Sequence, residues 1–237
     1  MKKIISMIKL TMLIALTSNV YAQDSLRLVN IDIENNEVQN TISATGSNIF
    51  SYNQKMAFLL ATELKETKNN VNIIGMKGIE DSYSKALTSN QVNPDFLISL
   101  GFDALPIQEL KYWDYEGQKL GYSDDIKGFS IFVNANHKNI RETLVCARQV
   151  SDTIQKIGFQ PNWSNNKKYK LIFPDMPIYN MENNKLINNS KSPVMKIVPG
   201  VLTHRKESQS FDSENTNLAF IKAITMGLNN CFNNVNN

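Results

Sequence analysis

The chain has 237 residues, 42% of them hydrophobic, enough for one domain with a substantial core. Its 25 basic and 22 acidic residues give a formal charge of +3, but the three surplus lysines, Lys2, Lys3 and Lys9, all lie in the first 22 residues. Without that stretch the charges balance and no basic stripe remains, which excludes a nucleic-acid-binding surface.

Residues 1–22 carry those lysines, then an apolar run from Leu10 to Leu16, then Val20-Tyr21-Ala22. Small residues at these offsets predict a secretory signal peptide cut after Ala22. The apolar run is too short to anchor the chain in a bilayer. No other segment reaches 18 consecutive apolar residues, so the mature chain, 23–237, is predicted to have no transmembrane segment and to be periplasmic or secreted.

Leu28 to Ile33 alternates apolar and polar residues and predicts a strand. A polar loop follows to Gly46; Asp32, Glu34 and Glu37, near one another about the strand's end, lack the spacing of a calcium loop and read as solvated. Tyr52–Thr67 predicts a helix, Val71–Ile74 a short buried strand, Ile79–Asn90 a weak helix and Phe96–Leu100 a third strand. Leu105–Lys127 reads as a long loop; its Tyr112, Trp113, Tyr115 and Tyr122 argue against disorder and for a functional loop. Strands are predicted at Phe129–Val133, Lys170–Phe173 and Val194–Val198. Apolar positions 140, 144, 147, 150, 154 and 157 share one helical face that Gly158 ends. A last helix spans Ser213–Phe232, and an Asn-rich tail from about 233 is expected to fray. Strands alternating with helices, without a linker or repeat, predict a single α/β domain with a mixed, mostly parallel central sheet flanked by helices.

Cys146 and Cys231 fall in predicted helices with apolar neighbours. An even count in an exported chain permits a disulfide, but these surroundings favour two small buried thiols. Neither is set up as a nucleophile, and Gly46-Ser47 does not belong to a G-x-S-x-G turn. His137 sits in a loop after a strand, where a histidine is expected to be exposed.

Five blocks occur in a distinctive order: I-S-A-T-G at 42–46 followed by Asn53; F-L-I-S-L at 96–100; W-D-Y-E-G at 113–117 with Y-S-D at 122–124 and G-F-S-I-F-V at 128–133; L-V-C-A-R at 144–148; and P-V-M-K-I-V-P-G-V-L-T-H-R at 193–205. Together they resemble the zinc-dependent N-acetylmuramoyl-L-alanine amidases of bacteria over most of the mature chain. In that family two His and one Glu hold zinc, leaving a fourth position for water. A second Glu serves as general base, and the metal lowers the water's pKa to about 7. The bond cut joins the muramic lactyl group to the L-alanine of the peptide stem.

By this resemblance the four roles fall on Asn35, Ile49, Gly101 and Val198. None supplies the needed group, which implies no zinc, no catalytic residues of the family kind and no cofactor. The neighbouring loops are retained. They offer Asp103, Trp113, Tyr115, Tyr122, Asp124, His204 and Arg205 as ligand-binding candidates: aromatic faces for sugar rings, charged groups for a peptide stem. The resemblance thus implies a cell-envelope pseudoenzyme that binds peptidoglycan or an envelope protein. Two alternatives stand beside it: an active hydrolase with a centre rebuilt around Glu34, Asp103 and His204, and an interaction domain without wall affinity. Whether Ile49, Phe102 and Val198 line the old cleft or plug it separates an open site from a remnant.

Overall fold

The computed structural model describes residues 26–35 and 41–235; the signal-peptide reading and Glu37 lie outside these. Seven strands form one sheet: β1 (Leu28–Ile33), β2 (Asn70–Ile74), β3 (Phe96–Leu100), β6 (Ser130–Val133), β7 (Lys170–Phe173), β8 (Met176–Asn180) and β9 (Val194–Val198). Their spatial order is β2-β1-β3-β9-β6-β8-β7. The β2-β1-β3-β9 half is parallel throughout; β9 meets β6 antiparallel, β6 meets β8 parallel, and β8 meets β7 antiparallel. This is the mixed, mostly parallel sheet that the alternation of elements implies.

One face is dry. Ile31 and Ile33 of β1, Ile98 and Leu100 of β3, and Met195 and Ile197 of β9 are fully buried there. They pack against helices α1 (Ile49–Glu66), α3 (Ile140–Lys156) and α6 (Glu214–Val235) in one apolar cluster. The other face is mixed and lies under α2 (Ser82–Val92) and the short α4 (Lys185–Asn189). Across it the register aligns Asp32, Ser99, Lys196 and Phe132 in one row. A short α5 (Arg205–Phe211) follows β9.

Several elements depart from the sequence-based expectation. Helix α1 begins at Ile49 because the Asn48 side chain accepts the Phe50 N–H at 2.8 Å, satisfying a donor the first turn leaves free. Strand β2 pairs only with β1 and is half-exposed, so it is an edge strand and not a buried one. Helix α6 continues through Asn233 and Asn234, where a frayed tail was expected. The Leu105–Lys127 segment is not an open loop: Lys111–Tyr115 (β4) and Gln118–Tyr122 (β5) form an antiparallel hairpin. Glu116 and Gly117 turn it, both at positive φ, the backbone a two-residue hairpin loop requires.

Cys146 of α3 and Cys231 of α6 form a disulfide, with Cα atoms 4.9 Å apart; the reading as two thiols is corrected. The apolar neighbours are real, because the bond lies inside the core between two packed helices, where either pattern looks the same in sequence. It closes a span of 85 residues, and chain entropy assigns such a closure about 4.5 kcal/mol of stability. Reduction, or Cys146→Ala with Cys231→Ala, is expected to lower the unfolding free energy by about that amount and so to lower the urea midpoint. An unchanged midpoint would show that the bond adds nothing.

Candidate functional site

A cleft of about 1250 Å³ opens on the mixed face beyond the ends of β1 and β3. Glu34 and Asn35 follow β1, Asp103 follows β3, and Lys196 projects from β9. Tyr112, Lys119 and Leu120 of the hairpin form one wall.

The floor is an ion pair. Lys196 Nζ lies 2.6 Å from Glu34 Oε1, with both side chains mostly buried. Burial pulls the Lys196 ammonium down, but Glu34 and then Asp103 more than offset this and hold it above an ordinary lysine. Burial pushes the Asp103 carboxyl above the usual aspartate value, and Lys196 only partly counters it. Asn53 of α1 ties the two loops beneath the pair, donating to Glu34 O and accepting from Phe102 N, each at 2.8 Å. A second pair lies deeper: Lys85 Nζ is 2.8 Å from Asp32 Oδ1 and donates to Asn35 Oδ1 and Ile33 O. Ser99 Oγ donates to Asp32 Oδ2. Asp32 is therefore buried and paired, where a solvated loop residue was expected.

The four positions that resemble the zinc site each have other neighbours. Asn35 is occupied by Lys85 and by the carbonyls of Gly78 and Glu80. Ile49 belongs to the main core. Val198 packs with Phe132 and Tyr179. Gly101 faces the Glu34 side chain: a Cβ there would sit 2.5 Å from Glu34 Cβ and 2.9 Å from Oε2. Ile49, Phe102 and Val198 are all buried and none lines the cleft. This donor set does not fit a zinc ion. Histidine cannot stand at 101 without displacing Glu34, and the Lys196 ammonium would repel a dication. Among the described residues no group of three or more His, Cys, Asp or Glu is placed to hold a metal.

Of the predicted ligand-binding residues, Asp103 alone lines the cleft. Trp113 donates to Ala44 O at 3.0 Å, packs against Tyr115 with tilted rings and meets Tyr122 edge-on. Arg205 lies over Tyr122, 4.0 Å from the ring centroid, and over Trp113, and bonds Asp124 through Nε at 3.0 Å. These five form a neighbouring cluster that fastens the hairpin to the body. His204 is buried and caps α5, its Nδ1 accepting from Glu207 N. His137 is buried too, not exposed: Nε2 meets Ser190 O and Nδ1 accepts from Asn139 N. Lys196 and Lys85 escaped the sequence reading. Their signal was there, since a lysine inside V-M-K-I-V is a charge in a strand otherwise built for burial.

The family model of the N-acetylmuramoyl-L-alanine amidases (Amidase_3) matches residues 35–230. The chain belongs to that family. The fold of this amidase-family protein agrees with solved amidases despite low identity. Ami1 of Mycobacterium smegmatis aligns with a TM-score of 0.68 at 12% identity, covering 88% of this chain and 97% of its own. An amidase of Clostridium difficile 630 gives 0.66 at 18%, covering 86% and 96%. The CwlD amidase of Clostridioides difficile, solved in complex with the GerS lipoprotein, gives 0.59 at 11%, covering 88% and 99%. No curated protein matches the chain in sequence.

Two outcomes follow for this amidase-family chain. Gly101→Ala is expected to cost about 1–3 kcal/mol in urea unfolding, because the added methyl must displace Glu34; a neutral substitution would contradict the packing. Burial lowers the His204 pKa below the ordinary 6.5. The unfolded chain then takes up the proton first, so this contribution is complete above 6.5 and is lost as pH falls toward the lowered native value. His204→Asn, which keeps a cap, should lose less stability than the wild type between about pH 7 and about pH 5. Parallel stability profiles would reject that role.

Proposed function

We propose that this amidase-family protein is an exported, zinc-free pseudoenzyme that binds the cell envelope without cutting it, its target being peptidoglycan or an envelope protein. The observation that carries the reading is the Glu34 carboxylate, paired with Lys196 and lying against Gly101: its side chain occupies the space that a side chain at the resemblance's histidine position would need. The open cleft supports retained binding. The Cys146–Cys231 disulfide supports residence in an oxidising compartment, as does the signal-like stretch at 1–22, for a periplasmic or secreted protein. That one structural relative, CwlD, is complexed with a lipoprotein supports a protein partner as the alternative target. Among the described residues no helix is long and apolar enough to cross a membrane.

Glu34 and Asp103 share the cleft, and burial raises the Asp103 pKa above the usual aspartate value. That favours, as a second reading, a rebuilt acid–base centre on these two carboxylates, without His204. The purified mature protein, exposed to zinc and desalted, is expected to retain far less than stoichiometric metal. It should sediment with insoluble peptidoglycan and release no soluble peptide. Stoichiometric zinc would overturn the pseudoenzyme reading. Peptide release abolished by Asp103→Asn would establish the rebuilt centre instead. Absence from the pellet would leave a protein partner as the target.

A further inference from the structure

We propose that Lys85 and Asn35 become joined in the folded protein by an isopeptide bond, with Asp32 carrying the proton between them. The inference needs no ligand in the cleft and stands apart from the binding reading above.

A buried lysine–aspartate pair is by itself ordinary structure. This one differs because the same nitrogen also meets an amide. Lys85 Nζ lies 2.8 Å from Asp32 Oδ1 and donates to Asn35 Oδ1 at 2.8 Å and to Ile33 O at 3.1 Å. The carbonyl carbon of Asn35 is one C=O bond beyond Oδ1, so it stands at most about 4 Å from Nζ. A nucleophile attacks from roughly 3–3.5 Å. The Lys196 ammonium, by contrast, meets the Glu34 carboxylate, whose negative charge turns a nucleophile away.

All three groups are held for the step. Ser99 Oγ donates to Asp32 Oδ2 at 2.7 Å, which among the described residues leaves Oδ1 to Lys85. The Asn35 amide nitrogen donates to Gly78 O at 3.1 Å and to Glu80 O at 2.9 Å, and this turns its carbonyl toward Lys85. The Lys85 and Asp32 side chains are 3% and 2% exposed. Gly75 closes over them: a Cβ there would stand 3.1 Å from both Asp32 Oδ1 and Lys85 Cδ. Fixed reactants in a site that excludes water are what an uncatalysed amide exchange lacks in solution.

Burial also favours the proton's first move. It raises the Asp32 carboxyl above the usual aspartate value, with Lys85 and Ser99 only partly countering it, so a proton passes from the ammonium to the carboxylate. The amine then uses its lone pair to bond Asn35 Cγ, and the carbonyl π pair moves to Oδ1. Asp32 gives the proton to Nδ2. As the carbonyl re-forms, the Cγ–Nδ2 bond breaks and its electron pair leaves with ammonia. The new amide nitrogen returns its surplus proton to Asp32. An ammonium, a carboxylate and a primary amide thus become a secondary amide, a neutral carboxyl and ammonia. No oxidant or cofactor is consumed, and the interior is relieved of two desolvated charges.

The test is tandem mass spectrometry of tryptic peptides from the mature protein, incubated folded for several days and then reduced. The expected product joins the peptide 28–55, through Asn35, to the peptide 78–111, which stays uncut at Lys85. Its mass is that of the two peptides less one ammonia. Intact mass alone does not decide, because a cyclised N-terminal Gln23 or a succinimide at an asparagine sheds ammonia too. Asn35→Ala, which leaves the ion pair in place, should give only separate peptides. Asp32→Ala, which removes the proton carrier without adding a second amide, should do the same; should it not fold, Asn35→Ala and the wild type decide. Separate peptides with full cleavage after Lys85 in the wild type would overturn the inference. So would a link that persists in Asn35→Ala, or one formed with loss of water, which places the bond on Asp32.

Discussion

An ammonium and a carboxylate that meet inside a protein must be desolvated together, and neither is tolerable there alone. Glu34 leaves the end of β1 and Lys196 projects from β9, and β3 lies between these strands. Neighbouring strands are about 4.8 Å apart, so the pair must span a whole intervening strand. It crosses β3 where the chain leaves the sheet, at Gly101. The absence of a side chain there is a geometric requirement of the pair above it. The floor of the cleft, the position of Asp103 beside it and the misfit to zinc all follow from that crossing.

The two faces of the sheet explain how the fold outlasts such changes. The apolar side chains of β1, β3 and β9 point to α1, α3 and α6, and this cluster makes no use of the cleft. The alternate positions carry Asp32, Ser99 and Lys196 toward α2 and α4. Because strand periodicity is two, residues on one face can be exchanged with little effect on the other. Asn35 and Ile49 show this locally: one has become a partner of Lys85, the other a core side chain. Each position of the resemblance has been taken over by its nearest neighbours.

Most strands and the long helices were legible because their patterns are local. Leu28–Ile33, Phe96–Leu100 and Ile140–Lys156 could be read from periodicity and a stop residue. The β4–β5 hairpin was less visible, since Glu-Gly is a weaker turn signal than Asn-Gly and its aromatics dock on distant groups, Ala44 O and Arg205. Strand β8, helices α4 and α5, and the edge position of β2 depend on long-range order and passed unread. The residue types at the four family positions were legible one by one. What fills them was not: Glu34 and Lys196 are 162 positions apart, and only the sheet order brings them together. The aromatic and charged candidates were chosen for ligand chemistry, yet most satisfy one another, a choice between inward and outward contacts that residue type does not encode.

The glycine under the ion pair also acts as a ratchet. A side chain restored at 101 meets Glu34; removing Glu34 strands the Lys196 charge; replacing Lys196 first leaves Glu34 and Asp103 facing each other uncompensated. Each first step alone leads to a less stable protein, so the three positions are bound into one unit of change. A change at the end of any one of these three strands therefore has to be matched at the other two.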